Sequence, residues 1–281
     1  MALDLTTENL LQEGLQSLPL QIDSRVLDAE LLLAHSLGTE RSRIRSHPET
    51  TRTAQEREHY LALIARRARG EPLAYILGRR EFWSLELEVD PAVLVPRPET
   101  ELLVERALTL RTQPTARVAD LGTGSGAVAL ALARERPGWQ VVGIDVSAQA
   151  LRVARRNAAR LGLSHVELIE GSWFAPLDGR RFDLILSNPP YVAQADPVLA
   201  AAPLSFEPRD ALTPGADALS SIRQLVREAP DYLERDGWLL LEHGATQGAA
   251  VAGLLVARGF THVRSHRDLA GEVRMTEARW G

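Results

Sequence analysis

The sequence predicts an α/β protein: a parallel sheet covered by helices on both faces, preceded by a small N-terminal helical bundle. Three observations predict it. Apolar residues recur at three- and four-residue spacing up to about Gly70, strand-like and helix-like stretches alternate from about Pro98 onward, and the tail reads as two strands joined by a tight turn.

The helical part is marked by Leu10, Leu11 and Leu15, then Leu27, Leu31 and Leu32, then Tyr60, Leu61 and Ile64, with Gly38, Pro48 and Gly70 as breaks. Residues 1–74 are read as this bundle. Glu81-Phe82-Trp83-Ser84-Leu85-Glu86-Leu87-Glu88-Val89 then alternates apolar and polar, and Pro91, Pro96 and Pro98 follow, so residues 75–97 are read as a hairpin linker at the domain boundary. In residues 98–281, strands are expected at Arg117–Leu121, Val141–Val146, Val166–Glu170, Phe182–Ser187 and Trp238–Glu242. Helices are expected from Ser125, over Ala148–Leu161, and from Leu219 and Gln247. Alternation of this kind gives parallel strands joined by helical crossovers, which must be covered on both faces. Thr261–Arg267 and Glu272–Trp280 supply the terminal hairpin.

Composition removes several chemistries. The formal charge of −5 offers no global positive field to collect phosphate backbones, so direct nucleic-acid binding is not expected. There is no cysteine, which excludes disulfides, thiolate metal sites and cysteine nucleophiles, and a cytoplasmic location is expected. All 32 basic residues are arginine, so no lysine is available for a Schiff base or a phosphate loop. The seven histidines form no H-E-x-x-H pair, and no metal is indicated. No apolar run approaches the roughly 20 residues of a membrane span. The start, Met1-Ala2-Leu3-Asp4, lacks the basic-then-apolar order of a leader.

The first candidate site is Ala119-Asp120-Leu121-Gly122-Thr123-Gly124-Ser125-Gly126-Ala127, which follows a strand and opens a helix. Glycines there let a ligand approach backbone N–H groups closely, the mark of a nucleotide-type cofactor site. Gly122, Gly124 and Ala127 also satisfy a dinucleotide fingerprint, so this loop alone leaves NAD and S-adenosylmethionine both open. Asp120 tips the balance, because an acid beside the glycines suits a cofactor's ammonium or sulfonium and repels a pyrophosphate. Asp145 ends the second strand, where its carboxylate can take both ribose hydroxyls; a helix cap is the alternative there, although Ser147 can serve as the cap. Trp173 follows the third strand and suits an adenine ring, with a core position as its alternative.

The second candidate site is Asn188-Pro189-Pro190-Tyr191, placed where the buried strand Phe182–Ser187 stops. A planar amide or amino nitrogen is a poor nucleophile, so a catalyst must bind its N–H groups through acceptors and favour the pyramidal transition state. The Asn188 side-chain carbonyl and a nearby main-chain carbonyl supply acceptors. Pro189 and Pro190 fix φ and contribute no donors, and Tyr191 offers a flat face.

Together, a D-x-G-x-G-x-G loop and a downstream N-P-P-Y loop resemble the amino-group methyltransferases. Gly78-Arg79-Arg80-Glu81-Phe82-Trp83-Ser84-Leu85, followed by Leu94-Val95-Pro96-Arg97-Pro98-Glu99-Thr100-Glu101, resembles the HemK/PrmC family of protein-glutamine N5-methyltransferases, and the similarity covers nearly the whole chain. The resemblance implies a Rossmann-like class I methyltransferase sheet, parallel with a C-terminal antiparallel hairpin, and substrate recognition by residues 1–74. It implies S-adenosyl-L-methionine as cofactor, with S-adenosyl-L-homocysteine as product, held by Gly122, Thr123, Gly124, Ser125, Gly126, Asp145, Trp173 and Asn188. Catalysis by Asn188, Pro189, Pro190 and Tyr191 follows, with the Gly-Gly-Gln glutamine of class I peptide-chain release factors as substrate. Arg97 and Glu99 would order the loop beside the site. Glutamine methylation of a ribosomal protein, and amino-methylation of nucleic acid, are the alternatives that share the loop.

Overall fold

The computed structural model describes residues 5–281, so the Met1-Ala2-Leu3-Asp4 start lies outside the described residues. The chain divides into two compact units: residues up to Gly78 together with Ala201–Phe206, and Arg79–Ala200 together with Glu207–Gly281.

The first unit carries α1 (Thr7–Ser17), α2 (Arg25–Ser36), α3 (Arg41–Ser46), α4 (Ala54–Ala68) and α5 (Leu73–Leu77). Side chains close the helix starts. Thr6 accepts from the Asn9 N–H, and Thr53 and Glu56 form a reciprocal capping box on α4. The apolar stripes meet in one core of Leu10, Leu32, Leu33, Ile44, Tyr60 and Ile64. Leu27, which the spacing assigns to that stripe, remains 40% exposed, and Leu33 fills the core instead. In a run of three leucines, α2 turns the positions with the best interhelical partners inward.

The second unit opens with the hairpin β1 (Arg79–Phe82) and β2 (Leu85–Glu88), turned by Trp83 and Ser84 at positive φ. Then follow α6 (Glu101–Leu110), β3 (Arg117–Leu121), α7 (Ala127–Glu135), β4 (Gln140–Asp145), α8 (Ala148–Arg160), β5 (Glu167–Glu170) and β6 (Phe182–Ser187). The chain finishes with the short α9 (Arg209–Leu212), α10 (Ser220–Glu228), β7 (Leu233–Glu242), α11 (Gly248–Arg258), β8 (Thr261–Arg267) and β9 (Val273–Arg279). The sheet order is β5-β4-β3-β6-β7-β9-β8, parallel from β5 to β7 and antiparallel at β9 and β8.

The fold class read from the sequence is the fold observed. Alternate residues of each central strand enter opposite cores: Val118, Val141, Leu184 and Leu240 pack under α6 and α7, while Ala119, Val142, Ile185 and Leu239 pack under α10 and α11. The hairpin packs with this unit, since Phe82, Leu85 and Leu87 are buried in the first of these cores. Asn157 of α8 stitches it there, accepting the Glu88 N–H at 2.7 Å and donating to the carbonyls of Glu88 and Ser125 at 3.0 Å.

Candidate active site

In the strand order the direction of travel reverses between β3 and β6, and ligands of open parallel sheets bind outside the carboxyl ends of strands at such a point. The two loops singled out in the sequence leave from there. Leu121 and Ser187, the last residues of β3 and β6, are register partners, and the Ser187 hydroxyl donates to the Leu121 carbonyl at 2.7 Å. A cavity of about 470 Å³ opens beside them. Gly122 to Ser125, Asp145, Trp173, Asn188 and Pro190 line it, with Arg97 and Thr100 on another side.

The glycine loop turns because Gly122, Gly124 and Gly126 all adopt positive φ. At Gly124, with φ +56, no protein atom lies within 4 Å of where a Cβ would sit, so a ligand can approach the loop closely there, while the N–H groups of Gly122, Thr123, Gly124 and Gly126 are donated within the protein. Behind the loop, a Cβ on Gly143 of β4 would come within 2.8 Å of the Thr123 hydroxyl, so the strand must carry glycine for the loop to lie against it.

Two carboxylates hold this loop. Asp120, 2% exposed, accepts from the Thr123 hydroxyl at 2.6 Å and from the Ala129 N–H at 3.2 Å. Burial pushes its pKa up to about 6, against the pull of those two hydrogen bonds. Asp145 accepts from the Gly124 N–H through Oδ2 and the Ser147 N–H through Oδ1, both at 2.9 Å, and burial again raises its pKa. Ser147, rather than Asp145, caps α8 by accepting from the Ala150 N–H. Asp145 keeps lone pairs beyond these two bonds, because a carboxylate offers about four acceptor sites. Trp173 sits at φ +49, packs on the second core and also borders the cavity, its ring 3.7 Å from where a Gly122 Cβ would be.

In the second loop, Asn188 donates from Nδ2 to the Thr100 hydroxyl oxygen at 3.1 Å. The bond consumes an amide donor and leaves the side-chain carbonyl as an acceptor. Pro190 lines the cavity while Pro189 is buried behind it. Tyr191 does not line the cavity: its ring packs on the second core and its hydroxyl donates to Glu242 Oε1 at 3.3 Å. Burial and Glu242 raise the Tyr191 pKa, so the phenol stays protonated and can donate. Gln247 secures the backbone, donating to the Tyr191 carbonyl at 3.0 Å while accepting from the Gly244 N–H at 2.9 Å.

Arg97 has a defined partner. It pairs with the buried Glu207 at 2.5 Å, and Glu207 also accepts the Val95 N–H. This ion pair ties Val95 and Arg97 to the segment that begins Pro208, Asp210 and Ala211, and both segments face the cavity.

Comparison with known proteins decides the family. Residues 9–78 match the PrmC N-terminal domain and residues 98–216 the methyltransferase small domain. The release factor glutamine methyltransferase of Pseudomonas aeruginosa is 53% identical over 254 residues, spanning 90% of this chain and 92% of the relative. The Vibrio cholerae enzyme of that name is 45% identical, spanning 98% of this chain and 94% of its own. The chain belongs to the release factor glutamine methyltransferase family. Like those relatives it is a methyltransferase. Solved structures agree on the fold: a methyltransferase from Pyrococcus furiosus superposes with TM-score 0.54 at 21% identity, covering 70% of this chain and 89% of its own. A 16S rRNA methyltransferase from T. thermophilus gives 0.53 at 21%, covering 72% and 50%.

The motifs of this family identify the loops and pass over what holds them. Asn157, Glu207, Glu242 and Gln247 are absent from the sequence reading of the site, and Thr100 enters it only as part of the Leu94–Glu101 motif, with no role of its own. Asn157 carried a faint signal, an amide on the apolar face of an amphipathic helix; Glu207, Glu242 and Gln247 carried none.

Proposed function

We propose that this protein transfers a methyl group from S-adenosyl-L-methionine to the side-chain amide nitrogen of the glutamine in the Gly-Gly-Gln motif of class I peptide-chain release factors. Membership of the family supports the substrate, and such a substrate would place the work in the cytoplasm. The observation that carries the chemistry is the Asn188 amide, pinned through its nitrogen on Thr100 so that its carbonyl remains to accept from the substrate NH2.

The residues around the cavity fit the cofactor. Gly124 leaves open space beside the loop, Asp145 stands ready for the ribose hydroxyls, Asp120 lies where an acid opposes positive charge, and Trp173 provides an aromatic edge. When bound, the cofactor supplies an electrophilic methyl on a sulfonium and departs as S-adenosyl-L-homocysteine.

The chain's own residues make the amide nitrogen able to attack. Acceptance of its N–H groups by the Asn188 carbonyl oxygens increases its electron density and favours the pyramidal geometry, an interaction stronger in the transition state than in the ground state. Pro190 adds no competing donor, and Tyr191, tethered to Glu242, fixes the end of the loop. Transfer of that methyl to the nitrogen would leave a neutral secondary amide, with the displaced N–H proton passing to solvent. Positioning supplies much of the acceleration, because attack and departure must be collinear.

Incubation of a class I release factor with this protein and S-adenosylmethionine, followed by mass spectrometry, tests the reading. One added methylene confined to the Gly-Gly-Gln peptide, and absent from a Gln→Ala control substrate, is the expected result. Cofactor binding without that increase would overturn the substrate and turn attention to a ribosomal-protein glutamine or a nucleic-acid amino group.

A further inference from the structure

Two strips of the cavity wall, one with Leu94, Pro96 and Arg97 and the other with Pro208, Asp210 and Ala211, are fastened together by the Arg97–Glu207 pair. The Glu207 side chain is fully buried, and Arg97 and the Val95 N–H compensate its charge. A buried ion pair is a costly fastener, since two packed apolar side chains of similar volume serve as well or better. What an apolar pair cannot do is hold a guanidinium in place.

That guanidinium has donors to spare. The Arg97 side chain is 30% exposed, and among the described residues it is the one basic side chain lining the cavity. It carries five N–H groups in a rigid fork, against its bond through Nη2 to Glu207. The Arg97 carbonyl accepts the Thr100 N–H at 3.1 Å, and the Thr100 hydroxyl accepts from Asn188, so Arg97 stands one turn of chain from the Asn188 amide.

We propose that Arg97, positioned by Glu207, binds the main-chain carbonyl oxygens of the substrate around the target glutamine. The inference rests on the reading of that substrate as a Gly-Gly-Gln segment. Two glycines offer only main-chain groups, so a site that selects them must bind peptide N–H and C=O. The acids lining the cavity, Asp120, Asp145 and Asp210, are acceptors and cannot meet a carbonyl. The N–H groups of the glycine loop at Gly122, Thr123, Gly124 and Gly126 are donated within the protein. Because Glu207 neutralises Arg97, the fork suits an uncharged carbonyl better than the carboxylate of the cofactor. The glutamine's own side-chain carbonyl is the wrong target, because a donor there draws the nitrogen lone pair into the amide and opposes attack.

Calorimetric binding of a class I release factor to the full chain, with S-adenosyl-L-homocysteine present, tests this on both the Gly-Gly-Gln factor and its Gln→Ala form. Arg97→Met is expected to weaken both complexes by about 5- to 50-fold, with S-adenosyl-L-homocysteine affinity unchanged. In turnover, KM for the release factor should rise by a similar factor while kcat changes by less than about threefold, the signature of lost uniform binding. Glu207→Ala should reproduce that KM effect without touching substrate. Glu207→Gln, which keeps an acceptor for Arg97, should recover most of it. Since Arg97→Met strands a buried carboxylate, the double variant Arg97→Met, Glu207→Met replaces it where the single one does not fold. Parental affinity of a folded variant for both factors overturns the assignment. A loss confined to the Gly-Gly-Gln factor moves Arg97 to the side-chain amide, and a fall in S-adenosyl-L-homocysteine affinity moves it to the cofactor; either result overturns the proposal. A parent that binds neither factor overturns the substrate reading itself, and the assignment with it.

Discussion

The loop after β3 and the loop after β6 leave neighbouring strands and face the same cavity, yet they are held by different means. The glycine loop is shaped by its own backbone and by acids at most a few tens of residues away: Asp120 at its head binds Thr123 and Ala129, and Asp145 at the end of the next strand binds Gly124. The Asn-Pro-Pro-Tyr loop is rigid through its prolines but oriented by Thr100, Glu242 and Gln247, from two distant stretches of chain. A loop that binds a cofactor must mainly get out of the way of its ligand, which glycine achieves locally. A loop that polarises a substrate must present one particular atom, and only neighbours can dictate which.

The contrast can be broken or sharpened by substitution. The largest effect is expected from Asn188→Ala: a kcat lower by about 100- to 1000-fold, since one transition-state hydrogen-bonding group is removed, with the dissociation constant for S-adenosylmethionine unchanged in calorimetry. Unchanged turnover would mean that the second loop does not polarise the substrate.

Each loop is also backed by a buried carboxyl with a raised pKa, Asp120 at about 6 and Glu242 at about 7. Raised folded-state values mean that the stabilising contribution is fully present below the unfolded pKa and is lost as pH rises through the folded one. The protein without ligand should thus lose stability between about pH 4 and pH 7, with up to roughly 3 kcal/mol traceable to Asp120. Denaturant unfolding at a series of pH values should show Asp120→Asn flattening the lower part of that slope and Glu242→Gln the upper part. A slope unaltered by either change would remove the parallel between the two carboxyls.

Asp145→Ala is expected to weaken S-adenosylmethionine binding by roughly 10- to 100-fold, with the melting temperature little altered because Ser147 continues to cap α8. Parental affinity in calorimetry would return Asp145 to a purely local role. The smallest effect is expected from Gly143→Ala, which crowds the Thr123 hydroxyl and should destabilise by about 1 to 2 kcal/mol in denaturant unfolding. A neutral outcome would mean that the glycine loop can withdraw from β4 without cost.

Periodicity alone was enough for the helices, the strands and the order of alternation, because an apolar repeat is dictated by which faces must leave water. Composition was enough to remove thiolate and lysine readings, and the two motifs marked the loops that line the cavity. Other features were invisible in one dimension. Leu27 fits the helical stripe as well as Leu33 does, and only the positions of the neighbouring helices leave it 40% exposed. The hairpin reads as a linker, but its apolar face and Asn157 bind it to the sheet-bearing unit. Tyr191 reads as a stacking platform, and its ring instead packs on the core with its hydroxyl on Glu242.

What the sequence by itself determined was therefore the fold class and the two loops that meet at the cavity, since both depend on short-range pattern and backbone sterics. Tertiary structure alone decided which atom of Asn188 faces outward and what stands behind Tyr191. Hydrogen-bond polarity belongs to groups brought together across the chain, and Asn188 meets Thr100 and Tyr191 meets Glu242 only once β6, β7 and the start of α6 have packed.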